Sequence, residues 1–347
     1  MAGGDQTTND TTTNSTKDSK RRRPKLRERS PRLQRGVDLA VYLAVRTLAA
    51  GFGMLSVRQT RRLAAAMSSL MMRLPPKIVR RAVAEQNLCA AFPDWSDRDR
   101  AVCIRRMYAH LIRMAVEYVQ FPRHITLETC REVMVFRNRK ASVRAACSGR
   151  PVLMLGGHFG NWEASLAAFG VFGFPMGVVA RKLDNPFLEA WMDRERSRFG
   201  HKLYWKRGGY DGLLELLQAG GNLALLCDQD AGRRGVFCDF FGRPASTVKS
   251  LALLAIEHDA LLVVGYGRRL PDDARCRWTR YEIGCEAVLD PRDHADDPAA
   301  VTRLTEGYTA ALERAIRRSP EQYFWVHRRW KSEPRRRKAA VPRRRAA

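Results

Sequence analysis

The sequence lacks the cysteine spacing of a metal site or a disulfide framework. Its eight cysteines include no Cys-x-x-Cys pair and no spacing typical of zinc ligands. Several lie inside apolar runs, such as Cys227 after Leu225 and Leu226. Because buried thiols of this kind are common in reducing compartments, we predict free cysteines in a chain that faces the cytosol.

The signatures of covalent catalysis are also missing. There is no Gly-x-Ser-x-Gly elbow, and neither Cys147 nor Cys227 has a second suitable histidine beside it in the sequence. There is also no internal repeat, and no small-residue cleavage site of a secretory signal follows the first apolar stretch. We therefore expect neither a covalent enzyme intermediate nor a secreted chain.

Acidic residues are few, since 36 Asp and Glu stand against 62 Lys and Arg, for a formal net charge of +26. Residues 1–35 contribute +6 and residues 328–347 contribute +9, which leaves +11 on the remainder. A basic surface of this kind suits anionic lipid, phosphorylated sugar, an acidic carrier protein or nucleic acid. Charge alone does not choose among them.

The first apolar stretch covers residues 37–55 and contains Asp38 and Arg46. It falls short of the about 20 predominantly apolar residues of a clean spanning helix. Because both of its flanks are basic, we predict a membrane-embedded or interfacial anchor; a buried amphipathic helix is the alternative. The predicted organisation is a disordered basic leader at 1–36, membrane-anchoring helices at 37–75, a catalytic domain at 76–333 and a disordered basic tail at 334–347.

After residue 150 the pattern changes to short apolar runs that alternate with helical stretches. The runs cover residues 152–155, 177–180, 203–205, 223–227, 261–266 and 281–285, and the helical stretches cover 162–169, 187–199, 211–219, 247–258 and 297–318. Such alternation predicts an α/β fold with a mixed, mostly parallel sheet flanked by helices. Ligands of these sheets bind where strands end and helices begin. Four side chains that closely follow predicted strands are expected to share one site: His158, Arg181, Arg207 and Asp228.

The most informative segment is residues 151–163, where an apolar strand leads through a glycine turn to His158 and then to Glu163. Residues five positions apart on an ideal helix lie about 140° apart. The two can therefore meet only if His158 lies in the turn and Glu163 in the first helical turn, with Asn161 as the N-cap. A neutral imidazole aimed by a carboxylate deprotonates a hydroxyl near neutral pH. We predict a general base at His158 oriented by Glu163; a structural histidine is the alternative.

Residues 157–163, Gly-His-Phe-Gly-Asn-Trp-Glu, resemble the His-x₄-Glu signature of the bacterial lipid A biosynthesis late acyltransferases, the lauroyl and myristoyl transferases of the lysophospholipid acyltransferase superfamily. They resemble equally the actinobacterial relatives that acylate phosphatidylinositol mannosides. Four further blocks are similar to the family, in order along the chain: residues 86–93, 181–186, 227–230 with 240–245, and 322–331. The resemblance implies a glycerolipid acyltransferase-like fold with an N-terminal membrane anchor.

The resemblance also implies site residues. His158 and Glu163 would be the catalytic pair, and the residues that bind substrate would be Arg181, Asn185, Arg207, Asp228, Gln229 and Asp230. Arg207 lies where the family places an arginine that handles phosphate, and a guanidinium suits phosphate or a tetrahedral oxyanion. No metal is expected.

Several of these residues have structural alternatives. Arg181 and Arg207 could be surface arginines. Asp228 and Gln229 are better suited to order loops that hold the arginines than to bind magnesium. Asn185 could simply cap a helix that begins near Phe187.

The function implied is a membrane-associated O-acyltransferase that moves a fatty acyl group from an acyl thioester to a hydroxyl of a glycolipid. A lipid A precursor is favoured as the acceptor over a phosphatidylinositol mannoside or another glycolipid or phospholipid. The donor would be acyl carrier protein or coenzyme A, with no cofactor, at the cytoplasmic face of the inner membrane. A basic nucleic-acid-binding protein is the remote alternative, supported by charge alone, since no recognised nucleic-acid module is present. We expect no nucleic-acid partner.

Overall fold

The computed structural model describes residues 31–205, 209–274 and 276–334. Its N-terminal part is a layer of four helices: α1 (Pro31–Gly53), α2 (Val57–Arg73), α3 (Arg81–Ala91) and α4 (Asp97–His124). Helices α2 and α4 are each preceded by an N-cap serine, Ser56 and Ser96. The serine side chain accepts from the third backbone N–H of the helix, and the side chain of that third residue, Gln59 or Asp99, accepts from the serine N–H. Such a capping box satisfies donors that a helix start leaves unpaired.

The catalytic part is built on a seven-stranded sheet with the order β1-β9-β8-β2-β5-β3-β4. Its strands are β1 (Met134–Arg137), β2 (Val152–Gly156), β3 (Met176–Ala180), β4 (Lys202–Trp205), β5 (Asn222–Leu226), β8 (Leu261–Arg269) and β9 (Tyr281–Leu289). Every pairing is parallel except the antiparallel β8–β9 pair. The predicted α/β fold with a mixed, mostly parallel sheet is therefore confirmed.

Helices cover both faces of this sheet, as the alternating pattern predicts. They are α5 (Cys130–Val133), α6 (Arg139–Ala146), α7 (Trp162–Val171), α8 (Pro186–Ser197), α9 (Tyr210–Gln218), α10 (Ser250–Glu257) and α11 (Ala300–Arg317). A separate antiparallel hairpin, β6 (Val236–Phe240) with β7 (Arg243–Thr247), is absent from the sequence-based prediction. The core is centred on β2, whose first four residues are buried.

The N-terminal helix differs from its prediction in extent and burial. It begins at Pro31, ahead of the predicted residue 37, so the end of the predicted leader is helical. Among its residues, all of which the structure describes, Ala49 alone is buried. This argues against the alternative of a buried amphipathic helix. It is long and apolar enough to cross a membrane. The rest of the predicted leader and the tail beyond residue 334 lie outside the described residues.

Candidate active site

The order of the strands brings two distant polar residues together. Strand β2 pairs with β5 in parallel, with Gly156 opposite Leu226. Two residues beyond this pair, at the carboxyl edge of the sheet, come His158 and Asp228. Because parallel neighbours leave the sheet side by side, residues separated by 70 positions in the chain meet at this edge.

His158 makes two hydrogen bonds to Asp228. Its backbone N–H donates to Asp228 Oδ2 at 2.8 Å, and its ring Nδ1 lies 2.8 Å from Oδ1. An ionised carboxylate only accepts, so Nδ1 carries the proton and Nε2 is left with its lone pair. The imidazole is thereby held in the tautomer that a general base requires.

Burial and charge set the ionisation of this pair. Asp228 is 1 % exposed. Burial raises the pKa of its carboxyl, but the hydrogen bond and charge of His158 lower it by more, to about 2. Burial in turn lowers the pKa of His158, and the Asp228 carboxylate outweighs this and raises it above the usual value. Asp228 is therefore ionised at every physiological pH, and His158 is a stronger base than a free imidazole.

In the structure the carboxylate that orients His158 belongs to Asp228 and not, as predicted, to Glu163. Glu163 lies in the first turn of α7, as predicted, but its Oε1 accepts a hydrogen bond of 2.8 Å from Arg196 in α8. Asp228 is bonded to His158, and its predicted role in ordering loops that hold the arginines stays a prediction. A catalytic role for Glu163 stays a prediction.

The turn after β2 approaches strand β8 closely at Gly160. This residue has φ +62°, and a Cβ at this position would lie 2.2 Å from the carbonyl oxygen of Gly267. The N–H of Gly160 donates to Gln322 O at 2.9 Å, and the N–H of Asn161 donates to Gly267 O at 2.6 Å. Asn161 Oδ1 accepts from Ala164 N at 3.1 Å, which confirms the predicted N-cap. Backbone bonds thus fix the turn that carries His158.

A buried network of polar side chains supports the same turn. Glu117 of α4 accepts from Arg269 Nε at 2.9 Å, from the Tyr281 hydroxyl at 2.6 Å and from the Asn161 amide at 3.3 Å. The Arg269 guanidinium also donates to His110 Nδ1. Since arginine cannot accept, the proton of His110 is on Nε2, which donates to Gly160 O at 3.0 Å. None of these residues except Asn161 was predicted to matter.

An apolar cavity of about 380 Å³ opens beside the turn, between α7, α8 and the strands β2, β3 and β5. Gly157 and Phe159, on either side of His158, and Trp162 of α7 are among its lining residues. Its apolar lining includes Met154, Leu166, Phe169, Met176, Val178 and Ala224. The charged residues of its wall are Glu163, Arg181, Glu189 and Arg196. A cavity of this size and character suits a hydrocarbon chain.

The other predicted site residues lie in different settings. Arg181 is exposed and lines the cavity. Asn185 caps α8, since its Oδ1 accepts from Phe187 N and Leu188 N at 3.0 and 3.2 Å, and its role in substrate binding stays a prediction. Gln229 is exposed. Arg207 lies outside the described residues.

The carboxylates after β5 are occupied by protein groups. Asp230 accepts from the N–H of Ser332 at 3.1 Å and from its hydroxyl at 3.0 Å, so it orders the C-terminal segment. Within residues 31–205, 209–274 and 276–334, no group of three or more His, Cys, Asp or Glu side chains could hold a metal ion. Burial raises the pKa of the adjacent Cys227 thiol well above its usual value. Cys227 is therefore a poor nucleophile.

The C-terminal segment, residues 322–331, also contributes side chains next to the His158–Asp228 pair. His327 Nε2 lies 3.2 Å from Asp228 O, and its ring centroid is 6.2 Å from that of His158. Arg329 is 1 % exposed and donates to Ser246 O and Thr247 Oγ1. Burial of an arginine next to a run of basic residues is not visible in sequence, where the run is typical of a solvated surface.

The chain matches one family model and several curated proteins. A family model described as bacterial lipid A biosynthesis acyltransferase matches residues 29–332. The chain is 28% identical over 260 residues to the lipid A biosynthesis palmitoleoyltransferase of Escherichia coli strain K12, covering 74% of this chain and 80% of that protein. It is 27% identical over 261 residues to the lauroyltransferase of the same strain, with 74% and 80% covered. A lipid A biosynthesis acyltransferase of Haemophilus influenzae is 23% identical over 251 residues, with 71% and 74% covered.

Proposed function

The chain belongs to the bacterial lipid A biosynthesis acyltransferase family and is an acyltransferase, and from this premise we propose that it moves a fatty acyl group from an acyl thioester to a hydroxyl of a lipid A precursor at a membrane surface. The observation that carries the proposal is the His158–Asp228 pair, whose chain neighbours Gly157 and Phe159 line an apolar cavity. The pair supplies a base, and the cavity supplies room for an acyl chain. The names of the relatives favour the lipid A precursor as acceptor.

In the proposed reaction, His158 Nε2 takes the proton of the acceptor hydroxyl as its oxygen attacks the thioester carbonyl carbon. The Asp228 carboxylate stabilises the imidazolium that forms, because it accepts from Nδ1 in a buried setting. The tetrahedral intermediate then collapses, the C–S bond breaks, and the imidazolium returns the proton to the leaving thiolate. The products are an ester and a free thiol, and His158 is again neutral.

The two substrates are assigned to different parts of the site. The acyl chain of the donor lies in the apolar cavity, with its thioester near Gly157 and Phe159. Arg181, exposed at the edge of the cavity, meets a phosphate of the acceptor or the carrier, since a guanidinium binds phosphate in a bidentate manner. Acyl carrier protein and coenzyme A both carry a phosphate at the far end of the pantetheine arm from the thioester, so the same residue serves either donor.

The reaction needs a membrane contact, because the acceptor is a lipid. Helix α1 is proposed as that contact, since its exposed side chains include Leu39, Leu43 and Leu48. The cytoplasmic face of the inner membrane is the compartment proposed, where an acyl carrier protein or coenzyme A donor is accessible.

The proposed reaction is tested with the purified full-length protein in mixed micelles. Each acceptor, a lipid A precursor or a phosphatidylinositol mannoside, is combined with acyl carrier protein or coenzyme A thioesters of several chain lengths, and products are identified by mass spectrometry. We expect acylation of the lipid A precursor that is abolished by His158→Ala. Transfer to the phosphatidylinositol mannoside alone would contradict the assigned acceptor, and full activity of His158→Ala would contradict the assigned base.

The membrane contact is tested by deletion of residues 1–56. We expect the shortened protein to move from sedimenting vesicles of anionic phospholipid to the soluble fraction, because α1 and the basic leader are lost. Far-UV circular dichroism checks that the remainder is folded. Unchanged sedimentation of a folded variant would assign the membrane contact to another surface.

A further inference from the structure

Helix α1 is attached to α8 and α4 at several points along its length. In its first half the Asn185 amide donates to Asp38 O at 2.8 Å, and in its second half the Arg46 guanidinium lies 5.1 Å from the Trp191 ring centroid. At its end, Gln120 of α4 donates to Phe52 O at 3.0 Å and to Leu55 O at 2.8 Å. The helix therefore lies along the body of the protein rather than projecting from it.

The attachments are incompatible with a membrane crossing. Asp38 and Phe52 lie about 21 Å apart along the helix axis at about 1.5 Å per residue, and the hydrocarbon core of a bilayer is about 30 Å thick. If α1 crossed the core, α8 and the end of α4 would be carried into it. The exposed charged side chains that would follow include Arg181, Lys182, Asp184, Asp193, Arg194 and Arg123. Charged groups at that depth cost several kcal/mol each.

The charges within α1 favour a contact along its side. Of its two charged residues after Arg35, Arg46 lies over the Trp191 ring of α8, and the carboxylate of Asp38 accepts from the Gln34 amide at 3.0 Å within the helix. The exposed hydrophobic side chains of the helix include Leu39, Val41, Leu43 and Leu48, and the exposed Arg46 lies beside the Trp191 ring. A helix that packs against protein on one side and exposes mainly apolar side chains elsewhere suits the plane of a membrane interface.

The flanks of α1 point to the same arrangement. Arg32 and Arg35 lie at its start, after the basic run at residues 20–29, and Arg58 and Arg62 are exposed just beyond its end. Basic flanks stay on the cytoplasmic side of a membrane, and here both flanks are basic. A spanning helix would have to carry one of them across.

We infer that α1 is an in-plane membrane element, embedded in the anionic surface of one leaflet with both ends on the same side of the bilayer. The inference rests on the membrane contact in the proposed function and specifies its geometry. It places the edge of the sheet that carries His158 alongside the leaflet, since Asn185 joins the α8 wall of the cavity to α1.

The test is cysteine accessibility in the full-length protein expressed in a Gram-negative bacterium. The accessible native thiols Cys89, Cys147 and Cys276 are first replaced by serine. Single reporters are then introduced as Gly36→Cys, where a new Cβ has no neighbour within 4 Å, and Met54→Cys, at a side chain that is 77% exposed. Spheroplasts are treated with a membrane-impermeant maleimide before and after lysis, and labelling in detergent gives the total.

We expect both reporters to be membrane-bound, silent in intact spheroplasts and labelled on lysis to more than half of the detergent total. Labelling of Gly36→Cys in intact spheroplasts, with Met54→Cys silent, would show a crossing and overturn the inference while leaving the membrane contact intact. Labelling of Gly36→Cys only in detergent would overturn the interfacial position. Recovery of the protein in the soluble fraction would overturn the membrane contact itself, and the inference with it.

Discussion

The turn that carries His158 and the helix α8 that walls the cavity are held in opposite ways. The turn is bonded through its backbone to β8 and to the C-terminal segment, and buried side chains of α4 support it. By contrast, none of the residues of α8, all of them described, is buried. The helix is attached through rim contacts, among them Arg196 to Glu163 and Asn185 to Asp38.

This difference in attachment predicts separate effects of substitutions on the chemical step and on substrate binding. Proton transfer needs donor and acceptor atoms positioned to within a fraction of an ångström, so a rigid turn serves it. An acyl chain needs only an apolar wall, which loses little if it adjusts. A substitution in the turn should therefore act on kcat, and a substitution in the α8 wall should act mainly on KM.

The largest effect should come from Asp228→Ala. Loss of the orienting carboxylate should lower kcat about 10²–10⁴-fold, the usual contribution of general-base catalysis. Asp228 also raises the pKa of His158, and the base works only when neutral. The acidic limb of the kcat/KM profile should therefore move to lower pH in the variant. Steady-state rates between pH 5 and 9 measure both effects.

The matched control is Asp230→Ala, which removes a nearby carboxylate that bonds to Ser332 and not to His158. It should leave the position of the acidic limb unchanged. If the two variants gave the same profile, the role assigned to Asp228 would be wrong.

A smaller loss should follow from removal of the brace under the turn. His110→Leu deletes the donor to Gly160 O, and a shift of about 1 Å in the turn costs about 100-fold in kcat. His110→Gln offers an amide N–H at a similar distance from the backbone and should recover most of the rate. Rates are compared at a temperature where circular dichroism shows each variant folded. Equal kcat for the leucine and glutamine variants would mean that the bond to Gly160 does not position His158.

Glu163 lies between the His158 turn and the α8 wall. Its variants test whether it acts in the reaction itself or only through its ion pair with Arg196. We expect Glu163→Ala to lower kcat at least about tenfold, since the turn and the cavity wall both lose a contact. If Glu163 acts through its ion pair, Arg196→Met should show the same loss and the double variant should be no worse. Parent-like kcat for Arg196→Met would assign Glu163 to the reaction itself. Parent-like turnover for Glu163→Ala would refute its predicted catalytic role.

The smallest effect should be that of Arg181→Lys. Lysine keeps the charge but loses bidentate geometry, so KM should rise about fivefold, the cost of roughly one net hydrogen bond, with kcat little changed. The same outcome is predicted for Arg207→Lys. Kinetics at low and high salt separate this from bulk attraction, which salt screens. Lys182→Ala, at the adjacent exposed cation, is the control, and a KM for Arg181→Lys no higher than that of the parent would contradict the assignment.

The strands and helices of the catalytic part could be predicted because their apolar periodicity is local. The pairing of His158 with Asp228 could not, because it depends on β5 lying next to β2, and strand order is not written in any local pattern. The acid five residues after His158 was the available partner in sequence. The acid that bonds to Nδ1 is 70 residues away.

Two other features escaped prediction for physical reasons. The β6–β7 hairpin turns at Phe241 and Gly242, both with positive φ. Hairpin turns of this kind are recognised by Asn-Gly or Asp-Gly, so phenylalanine in the first position conceals the turn. Glu117 and Arg269 are 152 positions apart, and each is typical of a solvated surface until the fold buries them together.

Gly160 makes the turn of the active site intolerant of substitution. All nineteen other residues carry a Cβ, which at this position would overlap the carbonyl of Gly267. We therefore expect no amino-acid substitution to be tolerated at position 160, even where the residues around it exchange freely. In a saturation library selected for growth, glycine should be the one residue recovered at position 160.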